Sequence, residues 1–284
     1  MRNQFSAVIF CSLTLLGTQA AQAQSSGVAA ANPGGSPPPI SVPTPAPVAD
    51  GPNPYKLVYV AEYKGNTIGA PVYQQADGTS AVFTHDLRAG YGITPNLVLG
   101  VREKLTENVN NAPAGTFVWS DIRVFFGWAK TMETTYVDMD TTFEVFFPTS
   151  NASQAAGQVL SMNLKNMWTF KTSLRNWSFQ FLTIISPSFY NNPESNNDYG
   201  LSFIPLITVD IFPSVHIYFE LDTDVNHAYA NSFFNYNSAD PGSFTIGPLF
   251  DINSHITFYP SLRFYTANLA PSNATLYFNL TAAL

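Results

Sequence analysis

From residue 55 to its end this chain repeats one pattern: a segment in which apolar and polar side chains alternate, closed by a turn. Val215, Ile217, Phe219 and Leu221 share one face of such a segment, and His216, Tyr218, Glu220, Asp222 and Asp224 share the other. Val137, Met139, Phe143, Val145 and Phe147 oppose Asp138, Asp140, Thr142 and Glu144 in a second. In a third, Ile256, Phe258, Leu262 and Phe264 oppose Thr257, Tyr259, Ser261, Arg263 and Tyr265. After Pro54 no stretch holds the i, i+3, i+4 spacing of a helix over a useful length. Strands must therefore make up the body of the fold.

Alternation alone fits a soluble sandwich as well as a membrane barrel, and the turns separate the two. Short connections at Thr94-Pro95-Asn96, Leu174-Arg175-Asn176, Pro213-Ser214 and Asp251-Ile252-Asn253-Ser254 alternate with longer polar ones at 64–79, 107–116, 149–157, 191–198 and 227–242. Short turns at one end and long loops at the other are the plan of an outer-membrane barrel. Strands are expected at 55–63, 80–93, 97–106, 117–130, 136–147, 158–173, 177–189, 199–212, 215–226, 243–252, 256–268 and 274–284. An even count of about twelve leaves both termini in the periplasm. The turn at Thr131–Thr135 is the least typical, and placing Phe83, Leu87 and Tyr91 outward carries His85 outward too.

Composition supports the same conclusion. Charged residues make up 11% of the 284-residue chain, against about 25% in soluble domains, while aromatic residues make up 14%. A large surface must face something other than water. Tyr91, Trp128, Tyr136, Trp177 and Phe212 fall near short turns, and Tyr63, Phe117, Trp119, Phe189, Tyr190, Tyr199 and Phe244 near long loops, as interfacial girdles require. The net charge of −7, with no Lys/Arg cluster, argues against a nucleic-acid partner. Cys11 is the single cysteine, which excludes disulfide and multi-cysteine metal chemistry within the chain.

Two segments precede the strands. Residues 1–23 read as a secretory signal peptide: Arg2 is the positive region, Phe5–Gly17 the apolar core and Ala21-Gln22-Ala23 the small-residue cleavage site. Residues 24–54 are rich in Pro, Ala and Ser and cannot build a core. The plain reading of that linker is a disordered periplasmic spacer, and the sharper one is a tether to a periplasmic partner.

Residues 55–284 thus resemble a Gram-negative outer-membrane β-barrel of the twelve-strand size. The closing segment carries much of the resemblance: Leu276, Phe278, Leu280, Ala282 and Leu284 alternate with Tyr277, Asn279, Thr281 and Ala283 up to the end, similar to the terminal strand that barrel-insertion machinery recognises. Leu284 departs from the aromatic residue with which the class usually ends. The resemblance implies an all-β, antiparallel up-and-down barrel in contact with outer-membrane lipid and lipopolysaccharide, and it brings no catalytic residues.

With the apolar face toward lipid, strand-borne charge points inward. The expected luminal side chains are Arg88, Arg102, Lys104, Asp121, Arg123, Asp138, Asp140, Glu144, Lys165, Lys171, Asp210, Glu220, Asp222, Asp224 and Arg263, with Asp86 and Asp251 on the same face. Twelve strands lie between barrels that side chains fill and porins with wide water channels. The leading expectation is a narrow porin-like channel for ions or small polar solutes, the second a non-conducting structural or surface-interaction barrel with an internal salt-bridge network. The acids at 138, 140, 144, 220, 222 and 224 predict a weak cation preference at low salt. A barrel lipid hydrolase ranks third, because His85, His216, His227 and His255 lie in no His-x-Ser-Asn-Gly arrangement. Asp222-Thr-Asp224-Val-Asn226 opens like a calcium loop, but His227 and Phe233 stand where the required Gly and Glu should be. No cofactor or metal motif is present.

Overall fold

In the computed structural model, residues 54–68, 81–109, 117–192, 196–229, 236–238, 242–266 and 269–283 are described. The segments read from the sequence as signal peptide and linker, up to residue 53, and Leu284 lie outside these residues. The strands are β1 (Tyr55–Thr67), β2 (Val82–Thr94), β3 (Leu97–Asn108), β4 (Phe117–Trp119), β5 (Ile122–Glu133), β6 (Val137–Phe147), β7 (Gln158–Phe170), β8 (Trp177–Tyr190), β9 (Asn197–Phe212), β10 (Val215–Ala228), β11 (Tyr236–Ser238), β12 (Ser243–Asn253), β13 (Ile256–Tyr265) and β14 (Thr275–Ala283).

Every pairing is antiparallel, and the sheet closes on itself. β14 pairs with β1, with Val58 opposite Ala283 and Tyr63 opposite Phe278, so the C-terminal alternation read in the sequence forms the seam. β4 and β5 are successive pieces of one wall position, both paired with β3, and β11 is an extra strand on β10. Discounting these, twelve strands circle the barrel. Closure leaves none of these twelve strands as a free edge, the condition for burying backbone polar groups in lipid.

The short turns share one end with the start of β1 and the end of β14. Gly92 N–H donates to Pro54 O, Lys171 N–H to Tyr136 O, Asp210 N–H to Asn176 O, Asp251 N–H to Ser214 O and Ala283 N–H to His255 O, stitching successive turns around the rim. Long connections occupy the other end. One of them holds a five-residue helix, α1 (Asn151–Ala155), capped by Ser150, where the sequence suggested an irregular loop.

The strand expected at 117–130 is the main revision to the expected boundaries. It breaks after Trp119, and the Asp121 carboxylate turns to accept from Ser150 N at 2.8 Å and Ser153 Oγ at 2.7 Å, anchoring the α1 loop. At its far end β5 runs through a bulge. Lys130 takes a φ of 54°, and its N–H donates to Asp140 Oδ1 at 2.6 Å. The two extra residues on β5 move the turn to Thr134–Tyr136, where Thr134 Oγ1 accepts from Tyr136 and Val137 N–H.

The outer wall is apolar. Leu57, Leu87, Leu99, Val101, Phe126, Ile185, Phe203, Ile217, Ile246 and Leu276 all stand exposed on it. Cross-strand aromatic ladders reinforce it: Phe219, Phe244 and Phe264 stack in sequence across β10, β12 and β13, and Phe250, Phe258, Phe278 and Tyr63 across β12, β13, β14 and β1. His85 does lie outward, where its Nδ1 meets Tyr59 Oη at 2.8 Å and its ring packs on Phe83. A polar ring thus keeps a partner on the apolar wall.

Candidate functional site: a charged belt inside the barrel

Strand register determines which inward side chains meet. Arg88 on β2 lies opposite Arg102 on β3, which lies opposite Arg123 on β5. Three guanidinium groups in one row repel unless acids intervene, and two do. Asp86 binds Arg88 at 2.7 Å and Arg102 at 2.5 Å. Glu144 on β6 receives Arg102 at 2.9 Å and Lys165 Nζ of β7 at 2.8 Å, with Arg123 Nη1 4.0 Å away. Lys104 stands opposite Asp86. Arg123 lies over the Phe146 ring at 4.4 Å. All these groups are buried inside the barrel, Lys165 to 0% exposure and Arg102, Arg123 and Glu144 to 1%.

The opposite wall carries a smaller acidic group. Glu220 on β10 accepts from Tyr218 Oη at 2.8 Å and faces Arg263 Nη2 of β13 at 3.6 Å. Arg263 Nε donates to Thr245 Oγ1 at 3.1 Å, and its guanidinium lies 4.7 Å over the Tyr277 ring. Tyr218 and Tyr259 meet edge to face at 4.9 Å. Asp222 and Asp224 follow Glu220 on the same face of β10 toward the long-loop end, opposite Ser243 of β12 and Ser202 of β9 respectively.

Other expected luminal charges sit at the barrel's ends. Asp138 pairs with Lys171 at 2.7 Å, both partly exposed. Asp140 accepts the Lys130 N–H at the β5 bulge. Asp210 and Asp251 flank His216 at 2.7 and 2.9 Å, and Asp121 anchors the α1 loop. The acids counted at 138 and 140 toward a cation preference are therefore engaged at the short-turn rim, away from the belt.

The structure adds inward groups that the sequence did not single out. Glu62 and Lys64 of β1 face the lumen, and Glu62 interacts electrostatically with Lys104, Arg263 and Lys64. The outward alternation of Tyr59, Ala61 and Tyr63 was the signal for them. A second addition is an apolar inner patch of Met167, Leu182, Ile184, Ile204, Leu206 and Leu249, closed by Tyr218, Tyr259 and Tyr277. Its signal was present as well, since Leu182 and Ile184, and Ile204 and Leu206, put apolar residues on the otherwise polar face in the middle of the segments at 177–189 and 199–212. Gly100 makes room for the inward Phe125 ring, with which a Cβ at that position would collide.

Among the described residues no group of three or more His, Cys, Asp or Glu side chains is placed to hold a metal ion. The histidines bond to Tyr59 (His85), to carboxylates (His216, His227) and to the Ala283 carbonyl (His255).

Known structures share this architecture. An outer membrane channel from Pseudomonas putida F1 superposes with a TM-score of 0.53 at 12% identity, over 81% of this chain and 94% of that one. The chain has the fold of a bacterial outer-membrane channel. The NanC porin gives a TM-score of 0.49 at 8% identity, over 80% of this chain and 98% of that one. The KdgM porin gives 0.46 at 8% identity with the same coverage. No family model matches the chain, and neither does any curated protein sequence. The expected all-β, twelve-strand barrel is thus observed, and its apolar outer wall is the surface that such barrels present to the bacterial outer membrane.

Proposed function

We propose that this protein is a narrow outer-membrane channel that passes ions or small polar solutes past the Arg88–Arg102–Arg123 belt. The observation that carries this reading is the interior itself. A barrel built only as a scaffold gains nothing from charge at its centre, because ion pairs taken out of water lose more hydration than they regain unless the geometry is excellent. Here Arg123 Nε and Nη1, Asn163 Nδ2 and Arg263 Nη1 and Nη2 have no hydrogen-bond partner among the described residues, although all are buried. Groups of this kind are normally satisfied by water or solute when protein does not supply the partner, and a polar conduit supplies both.

The belt with its acids and the Glu220–Asp222–Asp224 arc stand on opposite walls, so a solute between them experiences a transverse field. In this reading the short-turn end faces the periplasm, the long loops meet lipopolysaccharide, and β14 presents the signal to the insertion machinery. A non-conducting barrel is favoured by one specific fact, the near-zero exposure of Arg102, Arg123, Glu144 and Lys165. Planar-bilayer recording decides between them. Discrete openings of small conductance are expected, and a flat baseline from protein that inserts normally would leave the structural barrel as the function.

A further inference from the structure

The belt is under-neutralised at one definite place. Its five basic side chains face Asp86, Glu144 and, from β1, Glu62, so positive charge exceeds negative in a buried setting where charge is costly unless compensated. Asp86 binds Arg88 and Arg102, and Glu144 binds Arg102 and Lys165. Arg123 is left over. It approaches Glu144 only to 4.0 Å, and its Nε and Nη1 are buried donors without an acceptor among the described residues. On β7, Asn163 lies directly opposite Glu144 in register and points another buried, unmatched donor, Nδ2, toward the same interior. Both residues are 1% exposed.

Unmatched donors on a positively charged wall call for an acceptor-rich ligand. We infer that Arg123 and Asn163 form the binding step of the channel for a small oxyanion, a carboxylate or phosphate group that completes the neutralisation of the belt. The planar guanidinium presents two parallel N–H groups, which suits two oxygens of one anion. Chloride offers no such pair of acceptors. Arg123 also rests on Phe146 and not on a carboxylate, so it can swing toward an arriving anion by breaking a ring contact and no short ion pair. The inference rests on the channel reading for the solute's route to mid-barrel.

The test uses the full mature chain, refolded in detergent, with inorganic phosphate, acetate and chloride titrated separately by calorimetry into wild type, Arg123→Gln and Asn163→Asp. Wild type is expected to bind phosphate or acetate more tightly than chloride, and each variant to weaken that binding at least about tenfold, because a charge-assisted hydrogen bond is lost or a like charge is set against the ligand. Acetate binding identifies a carboxylate ligand, and phosphate binding alone a phosphoryl one. No oxyanion binding to wild type, or equal binding to both variants, overturns the inference. If Arg123→Gln fails to reach the folded, heat-modifiable form, the near-isosteric Asn163→Asp decides. Bilayer recording separates the two levels: openings whose chloride current is insensitive to phosphate sink the oxyanion step and leave the channel standing, whereas Arg123-dependent binding by a barrel that never opens sinks the channel.

Discussion

Arg102 reaches Glu144 across the barrel interior at 2.9 Å, linking side chains from β3 and β6, two strands that do not pair with each other. The contact spans the intervening β5, so the belt braces the barrel across its curvature. Replacing Glu144 with Gln removes the acid from three cations at once. Breaking one partner of a buried pair costs about 3–5 kcal/mol, and the E144Q barrel should lose its SDS resistance at a lower temperature than wild type. E144Q combined with Lys165→Met should recover part of the loss, because one stranded cation goes with its acid. Equal melting of single and double variants would show that Lys165 does not depend on Glu144.

Closure through β1 and β14 gives the folded state its kinetic resistance, since none of the twelve barrel strands has a free edge from which to start unfolding. Unboiled protein in SDS should migrate apart from boiled protein. Pro in place of Ala61, which lies opposite Leu280 at the seam, should lower the temperature at which the two bands merge by removing a ladder donor. Identical migration of wild type before and after heating would contradict a closed barrel.

The two wall faces should respond oppositely to charge. Val101 is 52% exposed on the outer wall, and Arg placed there near mid-membrane should cost about 2–4 kcal/mol. Asp224→Asn, half-buried on the inner wall toward the long-loop end, should cost much less. Unfolding titrations in urea from lipid vesicles measure both, and a tolerated V101R would reverse the face assignment.

Deleting residues 25–53 should leave insertion intact. The first described contact is Pro54 O accepting from Gly92 N–H, and no alternating strand lies before it. Heat-modifiable, membrane-inserted protein from the deletion is the expected result, and failure to insert would make the linker part of the fold.

Faces were legible from the sequence because a membrane barrel obeys period 2 strictly: a polar residue on the wrong face meets lipid. Lys165, Arg263 and Glu220 could be assigned inward from alternation alone. Contacts across the lumen were not legible. Glu144 on β6 takes Arg102 from β3, a strand with which β6 does not pair, because which side chains meet inside depends on stagger between strands and on bulges such as that at Lys130. Nor does a one-strand pattern disclose that Arg88, Arg102 and Arg123 fall in one row, which is a property of three registers together. The apolar inner patch went unnoticed for a related reason. A lumen partly filled by Leu182, Ile184, Ile204 and Leu206 looks in sequence like strands whose polar face is interrupted in the middle.

Selectivity follows from how the two charged walls sit. The belt holds more basic than acidic side chains, while Glu220, Asp222 and Asp224 line the wall of β10 toward the long loops. In the proposed channel, ions entering from the long-loop side would pass these acids first and the belt second, and the belt's excess of basic groups would set the sign of discrimination. With Asp138 and Asp140 committed at the rim, a modest anion preference is expected in place of the cation preference that strand patterns alone suggest. The triple substitution Glu220→Gln, Asp222→Asn, Asp224→Asn should strengthen that preference, moving the reversal potential under a salt gradient further toward the chloride equilibrium value. The shift should shrink as the Debye length falls from about 10 Å at 0.1 M to about 3 Å at 1 M salt. Because the substitutions are luminal, the unboiled gel mobility should be unchanged. A reversal potential that does not move would mean that permeating ions pass beyond the reach of these three carboxylates, and one that moves toward the cation value would show that the acids do not act as fixed negative charge.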